Sequence, residues 1–150
     1  MAKIAQCPFC DIANGRTEGR TTAILYQDNR VIAFEDRSPQ AFRHYLVIPV
    51  AHVMNVKSLT KSKDDYALVV QMQKVGQSLL EKDAPNAHLR FGFHKPPLNT
   101  VDHLHLHCLA LPYKGWWRSV KYTSLGFLGA WIGVEKVLER LNPEDTNLPV

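Results

Sequence analysis

The sequence predicts an α+β fold with a mainly antiparallel sheet of about five strands, one long helix and a C-terminal helix. Three short apolar runs precede the first long amphipathic segment, two more strand-like runs follow it, and a second helical pattern lies near the end of the chain. Strands that come in groups, without a helix between each pair, are typical of α+β proteins.

Apolar spacing places each element along the chain. From residue 64 to residue 81, apolar residues recur every three or four positions, as on the buried face of an amphipathic helix. Strand-like runs occupy residues 23–27, 31–35, 45–48, 88–93 and 103–111, and shorter helical patterns occupy residues 7–13 and 133–141. Runs 23–27 and 31–35 flank a polar turn, which favours a hairpin.

Length and composition indicate one globular domain over residues 1–150. The chain is 45% hydrophobic and 21% charged, which is ordinary for a folded domain of this size. No apolar run reaches the roughly 18 to 20 residues that span a bilayer, and residues 1–6 lack the apolar centre of a signal peptide. We expect a cytoplasmic protein with no membrane partner, with the nucleus as a second compartment.

The net charge of +4 suits a phosphate-bearing partner. The basic residues are scattered and form no dense block, so nucleic acid is not favoured as the main partner. Three cysteines are an odd number in a domain that can fold without disulfides, which favours free thiols or metal binding.

Three histidines alternate within the run 103–111. In a strand, His103, His105 and His107 share one face, whereas the leucines between them take the other. A neutral imidazole is a nucleophile near neutral pH, and a neighbouring imidazolium can hold a phosphate oxygen, so the pattern favours phosphoryl chemistry. Two alternatives stay open, namely three solvent-facing histidines and a pure metal cluster.

The run 103–109 resembles the His-φ-His-φ-His-φ-φ signature of the histidine triad superfamily, where φ is a hydrophobic residue. Blocks 34–39 and 44–52 resemble two further blocks of that superfamily, in order and spacing. Residues 90–97 are similar to the histidine triad nucleotide-binding protein 3 type, with aprataxin close by. The resemblance covers about residues 7–111, leaves 112–150 as a C-terminal extension, and implies a histidine triad fold.

The resemblance implies a hydrolase that cleaves AMP from phosphoramidates or acyl-adenylates. His105 would attack the α-phosphorus to form a covalent AMP-histidine, which water then hydrolyses. His107 would contact the phosphate and His103 would orient the row. His52 would shuttle protons or fix the triad, and the Thr100 hydroxyl would assist the leaving group.

The same resemblance implies a purine nucleotide pocket. Asp36 would accept from both ribose hydroxyls, with a turn-capping role as its alternative. The purine walls would be Phe9, Ile12 and Phe34, for each of which an ordinary core position is the alternative. Two further positions near the nucleotide, Arg37 and His94, depart from the family pattern, which leaves the leaving group open.

The pair Cys7 and Cys10 has a spacing suited to two thiolate ligands on one ion. By resemblance, His52 and His103 would complete a structural zinc site, although the chemistry itself needs no cofactor. The alternative is two free thiols in a reducing compartment.

Two other functions stay open. An aprataxin-like DNA 5'-adenylate hydrolase is suggested by the aromatic and basic run 116–118, whose indoles could stack on a base. A nucleotide- or zinc-binding regulatory module without turnover is the other. By resemblance to its relatives, the protein is also expected to form a two-fold homodimer that joins the sheets of its subunits.

Overall fold

The fold is taken from a computed structural model that describes residues 7–16, 22–123 and 129–145. Its helices are α1 (Pro8–Ala13), α2 (Lys63–Asp83) and α3 (Val134–Leu141). Its strands are β1 (Ile24–Gln27), β2 (Val31–Glu35), β3 (Ala41–Pro49), β4 (Leu89–His94), β5 (Leu106–Tyr113) and β6 (Trp131–Gly133). Two 3-10 helices, Val56–Ser58 and Trp116–Tyr122, connect them.

The strands form one antiparallel sheet in the order β1-β2-β3-β5-β4-β6. The long central strands β3 and β5 pair with Leu46 opposite His107. The α+β class, the antiparallel sheet, the long helix and the C-terminal helix are confirmed. The sheet has six strands among the described residues, one more than expected.

The additional strand, β6, comes from the C-terminal extension. Its three residues pair with β4, placing Trp131 opposite His94 and Gly133 opposite Gly92. A three-residue run that ends in glycine has no measurable period, so only the tertiary pairing with β4 defines this strand. In the folded chain, β6 therefore covers the edge that β4 would otherwise expose.

Two predicted strand boundaries are corrected. The third strand begins at Ala41 instead of residue 45, because its first residues continue the ladder with β5 past a bulge. The fifth strand begins at Leu106 instead of residue 103. The segment before it bonds elsewhere, since the backbone N–H of Leu104 donates to the carbonyl of Val53 over 2.7 Å.

Helix α2 covers one face of the sheet. Ser62 caps its N-terminus by accepting from the backbone N–H of Asp65, and its apolar stripe is buried against the sheet. Gly76 allows close approach, because a Cβ there would lie 2.4 Å from the Sγ atom of Cys108. Burial of each large side chain in this core contributes about 1.5–3 kcal/mol. The core on this face consists mainly of Val47, Leu68, Val69, Met72, Leu80, Phe93, Leu106 and Ile132.

The opposite face carries two smaller apolar clusters with the histidines between them. At one end, α1 packs on Ile32, Phe34, Leu46 and Ile48. At the other end, Tyr122 and Trp131 pack on Ala41 and Leu109. Chain segments far apart in sequence therefore close the site face from both ends.

Of the helices described, none combines the length and apolar character that crossing a membrane requires.

Candidate active site

A cleft of about 1040 Å³ opens on the site face beside α1. The alternation of β5 directs Leu106, Cys108 and Ala110 to the α2 core and leaves His107 on the cleft side. Of the site residues predicted from sequence, those that line the cleft are Phe9, Ile12, Phe34, Asp36, Arg37, Thr100, His105 and His107.

His105 lines the cleft, and within the part of the chain that the structure describes its Nε2 has no hydrogen-bond partner. Its Nδ1 lies 2.7 Å from the carbonyl oxygen of His103, and only a protonated Nδ1 can donate to a carbonyl. The neutral ring therefore carries its lone pair on Nε2. Burial lowers the pKa of His105, which keeps the ring neutral near neutral pH. A neutral imidazole with an unshared Nε2 is the form needed for nucleophilic attack.

His107 is held by a second histidine, His44. The Nδ1 of His107 lies 2.9 Å from the Nε2 of His44, whose own Nδ1 accepts from the backbone N–H of Gln40 over 3.1 Å. A neutral His44 must therefore carry its proton on Nε2 and donate it to His107, which in turn carries its proton on Nε2. Among the described residues, that Nε2 is buried and has no hydrogen-bond partner, and the His107 side chain lines the cleft.

Burial keeps these rings neutral. It lowers the pKa of His44 to about 4, although the carboxylate of Asp36, 3.6 Å from the His44 Nε2, acts in the opposite direction. It also lowers the pKa of His107 well below the ordinary value, and the neighbouring histidines act in the same direction. The contact between Asp36 and His44 is therefore a carboxylate beside a neutral ring and not an ion pair.

His44 is the functional residue that sequence reasoning missed. It alternates with Leu46 and Ile48 on β3, so its side chain faces the histidine row. The predicted proton shuttle, His52, instead lies beside the cysteine pair, with its Nδ1 3.2 Å from the Cys10 Sγ. The structure therefore gives the contact with His107 to His44, and His52 joins the cysteines.

Four predicted metal ligands converge. The ligand atoms of Cys7, Cys10, His52 and His103 all lie within 4.8 Å of one another. The Nδ1 of His103 is 3.4 Å from both sulfur atoms. Sulfur and nitrogen ligands of tetrahedral zinc lie about 3.6 Å apart, given the usual bond lengths, so the spacing fits.

The second ring nitrogen of His103 strengthens this fit. Its Nε2 lies 2.9 Å from the carbonyl oxygen of Pro49, so the Nε2–H donates there and the Nδ1 lone pair faces the sulfurs. A ring fixed in this way by a backbone carbonyl is typical of metal-bound histidine. The donor set of two thiols and two imidazoles is that of a structural zinc site.

Helix α1 joins the cysteine cluster to the purine side of the cleft. Cys7 caps the helix by accepting from the backbone N–H of Cys10. Phe9, between the two cysteines, packs its ring 5.2 Å from that of His105 and 5.7 Å from that of Phe34. An ion on the cysteines would therefore fix the helix that carries the apolar wall.

Asp36 has one oxygen in a turn and lies in the cleft. Its Oδ1 accepts from the backbone N–H of Ser38 over 2.7 Å, as the turn alternative requires. A carboxylate has further acceptor positions, so this bond does not use up its capacity. Asp36 follows β2 directly and lines the cleft with the exposed Arg37.

The remaining predicted residues lie away from the cleft floor. His94 packs behind His107 with ring centroids 4.7 Å apart, and burial lowers its pKa to about 4. Trp116 and Trp117 are 82% and 58% exposed on the 3-10 helix after β5.

The chain is similar to a known protein family and to solved structures. Residues 6–123 match the family model described as scavenger mRNA decapping enzyme C-term binding. The chain is also similar to solved structures of a HIT family hydrolase from Clostridium thermocellum and a histidine triad protein from Clostridium difficile, each with a TM-score of 0.62. The first is 29% identical and aligns over 75% of this chain and 96% of its own. The second is 28% identical and aligns over 71% and 90%.

Curated relatives align over more of the sequence. The bifunctional adenosine 5'-phosphosulfate phosphorylase/adenylylsulfatase HINT4 of Arabidopsis thaliana is 53% identical over 95% of this chain and 97% of its own length. The adenosine 5'-monophosphoramidase HINT3 of Danio rerio is 39% identical over 95% and 86%. Aprataxin of Gallus gallus is 30% identical over 77% of this chain and 36% of its own length.

Proposed function

The chain belongs to the histidine triad superfamily, and from this premise we propose that it is a nucleotidyl hydrolase that releases AMP from adenosine 5'-phosphoramidates and related adenylates. The observation that carries the proposal is the pair of complementary ring nitrogens at the cleft. His105 offers an unprotonated Nε2, and His107 offers an Nε2–H. One suits attack on phosphorus and the other suits a phosphate oxygen.

In the first step, the Nε2 of His105 forms a bond to the α-phosphorus while the bond from phosphorus to the leaving group breaks. The leaving group departs with its electron pair and takes a proton from solvent water, and we assign the Thr100 hydroxyl to hydrogen-bond it there. In the second step, water attacks the phosphorus and gives a proton back to solvent, the bond to Nε2 breaks, AMP is released and His105 returns to its neutral form. Splitting one displacement into two in this way is covalent catalysis.

The Nε2–H of His107 supports both displacements. Its unpaired donor costs free energy while it is buried without a partner, and a phosphate oxygen would satisfy it. Because both transition states place negative charge on the same oxygens, a fixed donor at this point lowers both barriers.

Trapping the intermediate tests the proposal. Wild-type protein mixed with an adenosine phosphoramidate labelled in the phosphate and quenched in alkali should carry label on His105. His105→Asn should carry none and should lose turnover by about 10⁴-fold or more, while it still binds AMP. The control is His88→Asn, which changes an exposed histidine outside the cleft. The mechanism is contradicted if the wild-type protein carries no label or if His105→Asn retains its turnover.

The leaving group is the finer part of the proposal. One relative is named for phosphosulfate and adenylylsulfate chemistry, and others are named as monophosphoramidases. All these activities concern the phosphorus of an adenosine 5'-phosphate, and a phosphorus atom bound in the cleft would lie next to His105. We propose that phosphoramidates, acyl-adenylates and adenosine 5'-phosphosulfate are all accepted, and comparison of their kcat/KM values ranks them.

We further propose that Cys7, Cys10, His52 and His103 hold a structural zinc ion. It would supply no step of the reaction, because its four ligand positions are filled by protein. Its contribution would be to fix α1, and with it Phe9, against the catalytic histidines.

A DNA 5'-adenylate substrate is the second candidate. It is favoured by the exposed Trp116 and Trp117, whose rings could stack on a terminal base. Turnover of an adenylated DNA end at a rate comparable to the phosphoramidate would support it. A binding module without turnover is excluded if label accumulates on His105.

The homodimer and the cytoplasmic or nuclear location stay predictions. If two sheets join, the junction must use the β1 edge or the β6 edge, since β6 already pairs with β4. Light scattering on the purified protein measures the oligomeric state.

A further inference from the structure

The indole of Trp131 lies over Gly92 of β4 and reaches His107. A Cβ on Gly92 would lie 2.3 Å from the Cζ2 atom of this indole, so Gly92 provides the space that the ring occupies. The indole is buried, with its centroid 5.4 Å from that of His94 and 6.1 Å from that of His107. The strand that brings it there lies beyond residues 6–123, the part that matches the family model.

Strand pairing explains why this side chain reaches His107. His107 pairs with Gly92, and Gly92 pairs with Gly133. These three residues are neighbours across the sheet, and because two of them are glycines, only His107 has a side chain there. Paired residues of antiparallel strands face the same side of the sheet. Trp131, opposite His94, therefore lies over the empty positions and ends against the ring of His107.

Tyr122 completes the wall behind His107. Its ring centroid lies 5.6 Å from that of His107, 5.7 Å from that of His44 and 5.4 Å from that of Trp131. The His107 ring is thus enclosed by His44, His94, Tyr122 and Trp131, with the cleft beyond. Among the described residues, only its Nδ1 has a hydrogen-bond partner, and the surrounding rings limit how far the His107 ring can turn about that bond.

We propose that Trp131 is a positioning residue, which holds the His107 ring so that its Nε2–H points at the phosphate position in the cleft. This inference rests on the proposed hydrolase function for its consequence, but the orientation of His107 can be measured without turnover. A donor that must lie within hydrogen-bond distance of the transition state is sensitive to displacement, and a shift of about 1 Å can cost on the order of 100-fold in rate.

The experiment compares substitutions at neighbouring positions of β6. Trp131→Leu removes the aromatic wall, and Trp131→Phe keeps a ring in case the leucine variant does not fold. The control is Ile132→Val, because Ile132 points to the opposite face, into the core with α2 and α3. All variants receive two measurements, the single-turnover rate of AMP release from adenosine 5'-phosphoramidate and long-range ¹H–¹⁵N NMR of histidine-labelled protein without ligand.

The expected result is a rate reduced by about 10- to 100-fold in Trp131→Leu and by a smaller factor, about 3- to 10-fold, in Trp131→Phe, through kcat more than KM. The wild-type spectrum should show His107 protonated only on Nε2. Trp131→Leu should show mixed tautomers, because a His107 ring that is free to turn loses the hydrogen bond from His44 that fixes its tautomer. Ile132→Val should resemble the wild type in both measurements.

Two results overturn the inference. One is a His107 tautomer in both Trp131 variants that is identical to the wild type. The other is a Trp131→Phe or Trp131→Leu rate within about twofold of the Ile132→Val rate, given the loss expected from a misplaced donor. If the wild type itself releases no AMP, the proposed function fails, and the NMR comparison still decides whether Trp131 orients His107.

Discussion

His44 and His107 lie on adjacent strands with the Nε2 of the first 2.9 Å from the Nδ1 of the second. Because the backbone N–H of Gln40 occupies the other nitrogen of His44, protons can be placed along this row in only one neutral arrangement. A backbone donor after β2 thus determines which nitrogen of His107 carries hydrogen. The tautomer of His107, the proposed phosphate ligand, is therefore set by a backbone group that His107 does not itself contact.

Replacing His44 should weaken catalysis without preventing nucleotide binding. His44→Phe keeps a ring but removes the donor to His107, and we expect kcat to fall by about 10- to 100-fold, the usual cost of losing a supporting hydrogen bond. His44→Gln offers an amide N–H at a similar reach and should recover part of this loss. Steady-state kinetics and AMP binding by calorimetry measure both quantities. Equal kcat in the wild type and His44→Phe would show that His107 needs no such support.

Period-two alternation allowed the sequence to predict that His105 and His107 face the cleft and that Leu106 and Cys108 face the core, whereas His103 lies before β5 and joins the cysteines. It could not decide which of His44 and His52 meets His107, since both flank the same predicted strand. Which histidine contacts His107 depends on two features of the fold. The strand β3 ends at Pro49, before His52, and His52 contacts Cys10 of the cysteine pair. The sequence could not predict the position of Trp131 either, because its strand, β6, is defined only by its pairing with β4.

Zinc should copurify at about one ion per chain, because four ligands of suitable type converge on one point. Cys10→Ser should lower the zinc content and raise the KM for adenosine 5'-phosphoramidate more than it lowers kcat, since α1 carries the apolar wall and not the nucleophile. The control thiol is Cys108, which is buried on the α2 side, and Cys108→Ala should keep its zinc. Metal analysis of protein purified without chelator measures this, and zinc-free wild type with two freely titratable thiols would contradict it.

Asp36 should select ribonucleotides. Its carboxylate can accept from the 2' and 3' hydroxyls together, and hydrogen bonds to a charged group contribute about 1.5–3 kcal/mol each. We expect the wild type to favour adenosine over 2'-deoxyadenosine phosphoramidate by about 10- to 100-fold in kcat/KM, and Asp36→Asn to lose most of that preference. Glu35→Gln changes the adjacent exposed carboxylate, which does not line the cleft, and should keep the preference. If Asp36→Asn keeps the wild-type ratio of kcat/KM values for the ribose and deoxyribose substrates, Asp36 serves only to cap its turn.

Stability should fall as the pH is lowered through the range in which free histidines titrate. Burial lowers the pKa of His94 from 6.5 to about 4, so between these values the unfolded chain binds a proton that the folded chain does not. Stability rises with pH wherever the unfolded state holds more protons, so this group stabilises the fold fully above its unfolded pKa and loses that contribution as pH falls towards 4.

His94→Phe isolates this contribution, because a phenyl ring can occupy the same aromatic surroundings without titrating. Over the same pH range, the slope of the unfolding free energy should be shallower in the variant by at most one proton, or about 1.4 kcal/mol per pH unit. Urea titrations at several pH values, with zinc held constant, measure the slope. His88→Phe changes an exposed histidine and should leave the slope as in the wild type. If the unfolding free energy has the same pH slope in His94→Phe and in the wild type, His94 is protonated in the folded protein, and the inference that burial behind His107 keeps its ring neutral is wrong.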